Sequence, residues 1–212
     1  MKLHVFNTAD GFDALRDEWD NLLAVSATNE VFVTYEWQTT WWNTYCPGDL
    51  WLIAGRDDDG RLVGIAPWFI EQPSRLVRMV GCVDVTDYLD IIATPEHHSA
   101  FCDALAGWLK DHADQFVSLS LCNIPAHSPT LLTLAHALTE RGFVVETEQQ
   151  EVCPAIQLPA TFDAYLESLD KKNRHELRRK LRRAQDSEND RVAWYIVGPE
   201  RDLTNEVECF LE

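Results

Sequence analysis

The 212-residue chain is short of positive charge, of methionine and of any long apolar run. Eighteen Lys and Arg stand against 35 Asp and Glu, a formal net charge of −17. A chain so acidic does not bind polyanions or anionic membranes through its general surface. Its longest apolar stretch, Leu62 to Ile70, falls far short of the ~20 residues that cross a bilayer, so no transmembrane segment is expected. The opening residues MKLHVFNTADGF lack the apolar core of a signal peptide, and the expected setting is the cytoplasm. The six cysteines (46, 82, 102, 122, 153 and 209) contain no Cys-x-x-Cys. That scatter predicts reduced, mostly buried thiols and neither a disulfide framework nor a zinc site. No metal is expected. Short-period repeats and low-complexity tracts are absent too.

Apolar residues, by contrast, make up 46% of the chain, and eight tryptophans raise the aromatic share to 10%. That is ample material for a packed core. Short strands alternate with amphipathic helices. Phe12, Leu15, Trp19 and Leu22 step at helical spacing behind Asp10, and Trp37, Trp41 and Tyr45 do so behind Thr34. Two apolar runs joined by Asp-Asp-Asp-Gly in LWLIAGRDDDGRLVGIAPWFI predict a β-hairpin. RLVRMVG, YLDIIATP and FVSLSLC read as further strands, and FVVETE and CPAIQL as the last two of the domain. Helices are expected over 98–112 and after Ser128-Pro129, the second ending at Gly142. The prediction is an α/β domain over 1–160. Residues 161–212 then hold a basic helix, a strand RVAWYIV and the start of another helix, too little to bury a core alone. They read as the opening of a second, incomplete domain.

The basic helix is the most uneven feature of the charge pattern. Residues 171 to 191 hold nine of the eighteen basic residues against four acids, which leaves the remainder at −22. At about 100° per residue, Lys171, Arg174, Arg178 and Arg182 form a stripe beside the apolar seam of Leu177, Leu181 and Ala184. Three readings stay open. The cations pair with the acidic body on a solvated face; or they line a crevice for a phosphorylated or carboxylated ligand, which arginine forks suit; or they meet a nucleic acid. The −22 remainder argues against the last.

Other candidates carry their own alternatives. DVTDYLD places Asp84, Asp87 and Asp90 close together, as turn-capping and internally paired carboxylates or as groups acting on a substrate. Trp37, Trp41 and Trp42 belong to the core or stack on a sugar ring. His97 and His98 have no carboxylate at metal-ligand spacing and read as surface residues. Cys122 with His127 is a loose thiol-nucleophile pattern that nothing else supports.

Four segments carry a family resemblance: FVTYEWQTTWWNTY, GRLVGIAPWFIEQ, RMVGCVDVTDYLDIIATPE and YLESLDKKNRHELRRKLRRAQ. Together with the strand order, they resemble the GNAT N-acyltransferases, in particular the CelD/BcsL-like branch associated with bacterial exopolysaccharide synthesis. That resemblance spans residues 10 to 200. It implies tandem GNAT-like domains, each a mixed central sheet flanked by helices, arranged as in Fem-type peptidyltransferases, the first copy helping to hold the acceptor and the second carrying the acyl donor. SLDKKNRHELRRK is similar to the Fem-type basic pattern whose arginines face the phosphates of a nucleotide-linked or lipid-linked sugar. Matched by position, that role falls on Arg174 and then on Arg178, with Lys171 on the same stripe. An acidic residue near the acceptor amine corresponds to Asp87 or Asp90, with Trp37 or Trp41 lining the cleft.

The implied reaction moves an acyl group from acetyl-CoA or another acyl-CoA to an amine of a sugar or sugar-nucleotide. The neutral amine attacks the thioester, and a base or water takes its proton. The chain departs from the family where coenzyme A should bind. In place of R/Q-x-x-G-x-G/A, the expected junction reads ATPEHHSAFCDAL, with no glycine, and Arg78-Met-Val-Gly81-Cys-Val83 is only a partial match. The donor is therefore expected to bind mainly beyond residue 212, and this length of chain to be inactive by itself. The runner-up is a non-catalytic acceptor-binding or scaffolding module with the same fold. Neither the acyl group, the acceptor nor the oligomeric state is legible.

Overall fold

The computed structural model describes residues 1–82, 85–185 and 195–211. Asp84 and the first four residues of RVAWYIV lie outside the described residues. The chain divides into two compact units, Met1–Glu151 and Val152–Glu212.

In the first unit, β1 (Lys2–Phe6) leads into α1 (Asp10–Ala24), a 3-10 turn (Val31–Val33) and α2 (Tyr35–Tyr45). The strands β2 (Gly48–Arg56), β3 (Leu62–Glu71), β4 (Leu76–Met79) and β5 (Ile92–Ala93) follow, then α3 (His98–Asp111), β6 (Ser118–Leu119) and α4 (Thr130–Glu140). The sheet runs β1-β2-β3-β4-β6, antiparallel except for the parallel β4–β6 pair. This is the α/β class, a mixed central sheet flanked by helices, that is expected from the sequence.

The central hairpin forms where Asp-Asp-Asp-Gly predicts it. Asp57 Oδ1 accepts from the N–H groups of Asp59 and Arg61, and Gly60 takes φ +83°. β2 and β3 are buried along nearly their whole length, so both faces must be covered. Side chains alternate across a strand, and the contacts follow that period. Gly55, Gly64 and Trp51 face α3: Trp51 meets Trp108, and Phe101 lies against both glycines. Phe69 faces the other side and meets Trp41 and Trp42 of α2. A Cβ at Gly64 would stand 2.5 Å from the Phe101 ring, so only glycine admits α3 this close.

Capping follows local chemistry. Thr34 Oγ1 accepts from Trp37 N at 3.3 Å and starts α2. Ser128 Oγ accepts from Thr130 N at 3.1 Å, and Gly142 at φ +85° closes α4 as anticipated. α1 starts at Asp10 itself, which is therefore its first residue and not its cap.

Three sequence expectations fail, each for a physical reason. FVSLSLC pairs only at Ser118–Leu119, because its sole described neighbour is the four-residue β4. FVVETE and CPAIQL form no strand: residues 143–160 are mostly exposed, Val144 at 93%, and no described strand edge receives their backbone. The thiols are not uniformly reduced and buried. Cys82 and Cys122 are joined with Cα atoms 6.3 Å apart, Cys46, Cys153 and Cys209 are exposed, and Cys102 is buried. The joined pair lies just past the ends of β4 and β6, whose parallel register carries both cysteines out of the sheet together.

In the second unit, α5 (Phe162–Ser168), α6 (Lys171–Gln185) and α7 (Leu203–Leu211) are described. Thr161, Asp170 and Asp202 cap them by accepting N–H bonds from Ala164, Lys172 and Thr204. No described helix is long and apolar enough to cross a membrane.

Candidate functional site

β4 and β5 are two pieces of one interrupted strand. β4 pairs with Trp68–Glu71 of β3, and β5 with Gly64–Ile65 of the same strand. Between them, residues 80–82 and 85–91 belong to no strand. They lie beyond the end of β4, whose parallel pairing with β6 extends over two residue pairs. Binding residues are disproportionately carried on loops that a rigid scaffold holds in place. This loop is the place to look for a site.

The loop is braced from three directions. Gly81, at φ +107°, turns it out of the sheet, and Cys82 is bonded to Cys122. Asn123 follows in the left-handed region at φ +61°; its Nδ2 donates to Thr86 O at 2.7 Å and its carbonyl accepts from Leu89 N at 3.0 Å. From α2, Trp37 Nε1 donates to Thr86 Oγ1 at 3.3 Å. The buried Gln38 Nε2 bridges Phe32 O and Val80 O at 2.8 and 3.0 Å. Phe32 packs edge-on against Trp37 at 4.9 Å and lies 6.1 Å from the Tyr88 ring. Phe32, Trp37 and Tyr88 thus form one aromatic group at the loop, and Asp87 is exposed.

Asp90 closes the loop and lies in the interior, 2% exposed. Its carboxylate accepts from Thr28 Oγ1 and Thr130 Oγ1 at 2.6 Å each, from Ile91 N at 2.8 Å, and from Ser128 Oγ. Four donors replace the water lost on burial. One side chain thereby ties the segment after α1, the start of β5 and the start of α4. Thr130 Oγ1 also meets His98 Nε2 at 3.0 Å, and His98 Nδ1 lies 3.2 Å from Thr133 Oγ1. His98 is thus a core residue and not the surface residue its sequence suggests.

Burial holds the His98 imidazole below its ordinary 6.5, against the opposing pull of the Asp90 charge. Protonation then favours the unfolded chain. The His98 share of stability is complete above pH 6.5 and is lost as pH falls from there through the depressed folded value. Urea midpoints measured between pH 8 and 5 should fall below pH 6.5, and His98→Gln should flatten that part of the slope. Burial also raises the Cys102 thiol to about 11, which leaves it inert as a nucleophile at neutral pH.

The expected site residues fall into three places. Trp37 reaches the loop through its bond to Thr86, and Asp87, the next residue of that loop, is exposed. Asp90 and Trp41 lie in the interior instead: Asp90 is saturated with donors, and Trp41, 3% exposed, packs between Phe69 and Tyr45. A group so enclosed is not presented to a substrate. Lys171, Arg174 and Arg178 sit on α6 in the second unit. Lys171 and Arg178 are exposed; Arg174 is half-buried, its Nη2 donating to Leu169 O at 3.0 Å while its Nε is enclosed without a hydrogen-bond partner. Arg179 pairs with Glu176 at 2.7 Å, so part of the helix's charge is internally matched. Cys122 is half of a disulfide and offers no thiolate for the pattern with His127.

The loop's braces were not read from sequence. A spacing of 40 residues does not mark Cys82 and Cys122 as partners, and Thr28 lies 62 residues from Asp90. The Asn123-Ile-Pro stretch after a strand was the one available signal of a left-handed turn.

The β5–α3 junction does not fit the pyrophosphate of coenzyme A. Pro95 has no N–H, the His97 N–H is taken by Thr94 O at 3.0 Å, and Glu96 adds negative charge at the helix start. Among the described residues, no group of His, Cys, Asp and Glu is arranged to hold a metal ion.

No protein-family model and no curated protein matches the chain. Among solved structures, it is similar to the spermidine N-acetyltransferase of Vibrio cholerae in complex with CoA and spermine. The identity is 17%, over 68% of this chain and 82% of that one, with a TM-score of 0.41. A chimera of the Vibrio cholerae enzyme with hSSAT is similar at 17% identity over 69% and 83%, with a TM-score of 0.43.

Proposed function

We propose that the chain is the acceptor-holding part of a GNAT-type N-acyltransferase, acting on an amine of an anionic sugar or sugar-nucleotide in bacterial envelope polysaccharide synthesis. The observation that carries this reading is the braced loop beyond the end of β4. The half-buried Trp37 is bonded to its Thr86, and the next residue, Asp87, is exposed. A sugar ring stacks on an indole face, and a carboxylate beside it accepts hydrogen bonds from hydroxyl or amine groups. In the second unit, taken by itself, the exposed Lys171 and Arg178, with Arg174 on the same stripe of α6, offer cations that suit a phosphorylated or carboxylated ligand.

The chemistry assigned to these residues is binding and orientation, with Asp87 positioned to take the proton that the attacking amine sheds. An acyl-CoA supplies the acyl group, and its site lies elsewhere than the β5–α3 junction. That misfit favours the second reading, a non-catalytic acceptor-binding module of the same fold.

Isothermal titration tests the assignment. Acetyl-CoA should give no binding heat, and a UDP-sugar should bind weakly, with an affinity that falls as salt rises. Arg178→Ala should lower the UDP-sugar affinity by about fivefold, the loss of roughly one screened charge contact. Tight binding of acetyl-CoA, or UDP-sugar binding indifferent to both salt and Arg178, would overturn the division of roles.

A further inference from the structure

We propose that Cys82–Cys122 is a thiol–disulfide exchange site, with Cys122 the sulfur attacked, Cys82 the leaving thiolate and a low-molecular-weight thiol the co-reactant. Opening it releases the loop that carries Thr86 and Asp87.

The two sulfurs are not equivalent. Cys122 is half-buried and lines an open cavity of about 1010 Å3 between β6, α4 and residues 143–150, walled by Leu119, Leu134 and Val145 among others. Cys82 is buried, and its Sγ lies 3.9 Å from Nη1 of Arg78. Exchange requires access to one sulfur and departure of the other as thiolate, and a stabilised thiolate departs faster. Access favours attack at Cys122, and the Arg78 guanidinium favours departure of Cys82. Both asymmetries select the same direction.

The step balances without a further reagent. The attacking thiolate forms an S–S bond with Cys122 as the Cys82–Cys122 bond breaks, and the electron pair goes to Cys82 Sγ. A second thiolate then attacks the small-molecule sulfur of the mixed disulfide and frees Cys122. Two external thiols are oxidised to one disulfide, and one protein disulfide is reduced. Closure is the reverse.

The structural consequence follows from the next residue. Asn123 holds Thr86 O and Leu89 N, and its place is set by the covalent bond of Cys122. With that bond open, residues 85–89 lose the covalent anchor beside Asn123, and their hydrogen bonds to Asn123 and Trp37 and the packing of Tyr88 and Leu89 must hold them without it. The bearing on acceptor binding rests on the acyltransferase reading; the exchange and the loosening do not.

The test uses the whole chain in glutathione buffers of graded redox poise. Thiols are trapped with N-ethylmaleimide, peptides mapped without reduction, and amide exchange read at Leu89. The 82–122 cross-link should interconvert with free thiols, and the trapped glutathione adduct should sit on Cys122 about tenfold more than on Cys82. The Leu89 amide should exchange about tenfold faster in the reduced chain. Arg78→Met should slow opening several-fold and Arg78→Lys restore it. An adduct mainly on Cys82, no cross-link under oxidised glutathione, or Leu89 exchange unchanged on reduction overturns the proposal. Should Arg78→Met not fold, the wild-type adduct ratio and Leu89 still decide. Neither readout involves an acceptor or acyl-CoA, so its failure is distinct from failure of the proposed function.

Discussion

Asp90→Ala is expected to lower the unfolding free energy by about 4 kcal/mol in a urea titration at neutral pH. Hydrogen bonds to a buried charge are each worth about 1.5–3 kcal/mol, and four converge here without adding fully. The variant also strands the hydroxyls of Thr28, Ser128 and Thr130 and the N–H of Ile91 in an interior that water does not reach. Asp90→Asn should cost less, because the amide keeps one acceptor oxygen and the hydroxyls can turn, but its NH2 meets groups already arranged to donate. Thr28→Val should cost about 2 kcal/mol, the loss of one donor to the buried charge. A loss below about 1 kcal/mol for Asp90→Ala would show that this carboxylate does not hold its three segments together.

Gly64→Ala should destabilise by about 3 kcal/mol, large for the addition of one methyl group. Three ring atoms of Phe101 would lie 2.5 to 2.7 Å from the new Cβ, and Gly55 leaves only slightly more room at 2.7 Å on the neighbouring strand. Phe101 is fully buried, so its ring has nowhere to turn. The companion change Phe101→Leu should recover part of the loss in the double variant and cost stability by itself, a coupling that unfolding midpoints measure directly. Simple additivity would mean that α3 shifts as a body to make room.

How far the sequence reveals this molecule depends on the range of the forces involved. The hairpin at Asp57–Gly60, the cap at Thr34 and the end of α4 at Gly142 depend on neighbours within a few residues, and all are readable. The helical stripe of Phe12, Leu15, Trp19 and Leu22 is readable because burial imposes its period. Residues 143–160 mislead for the same reason: alternating apolar residues describe a willing strand, but strand formation also needs a partner edge. Trp37 and Trp41 share a helical face in the sequence, yet one reaches the loop and the other is sealed against Phe69. Their spacing is alike; their depth is not. Asp87 and Asp90 differ the same way, and no local signal says that three hydroxyls from remote segments await the second carboxylate.

The interruption between β4 and β5 has an evolutionary consequence. Because both flanks are registered on the same neighbour, β3, and Asp90 is bonded to remote segments, only the exposed positions of the loop, Val85 and Asp87, are free to drift while the scaffold stays put. Relatives should therefore diversify fastest at these two. Exchanging them between relatives should carry ligand preference across, leaving the thermal midpoint nearly untouched.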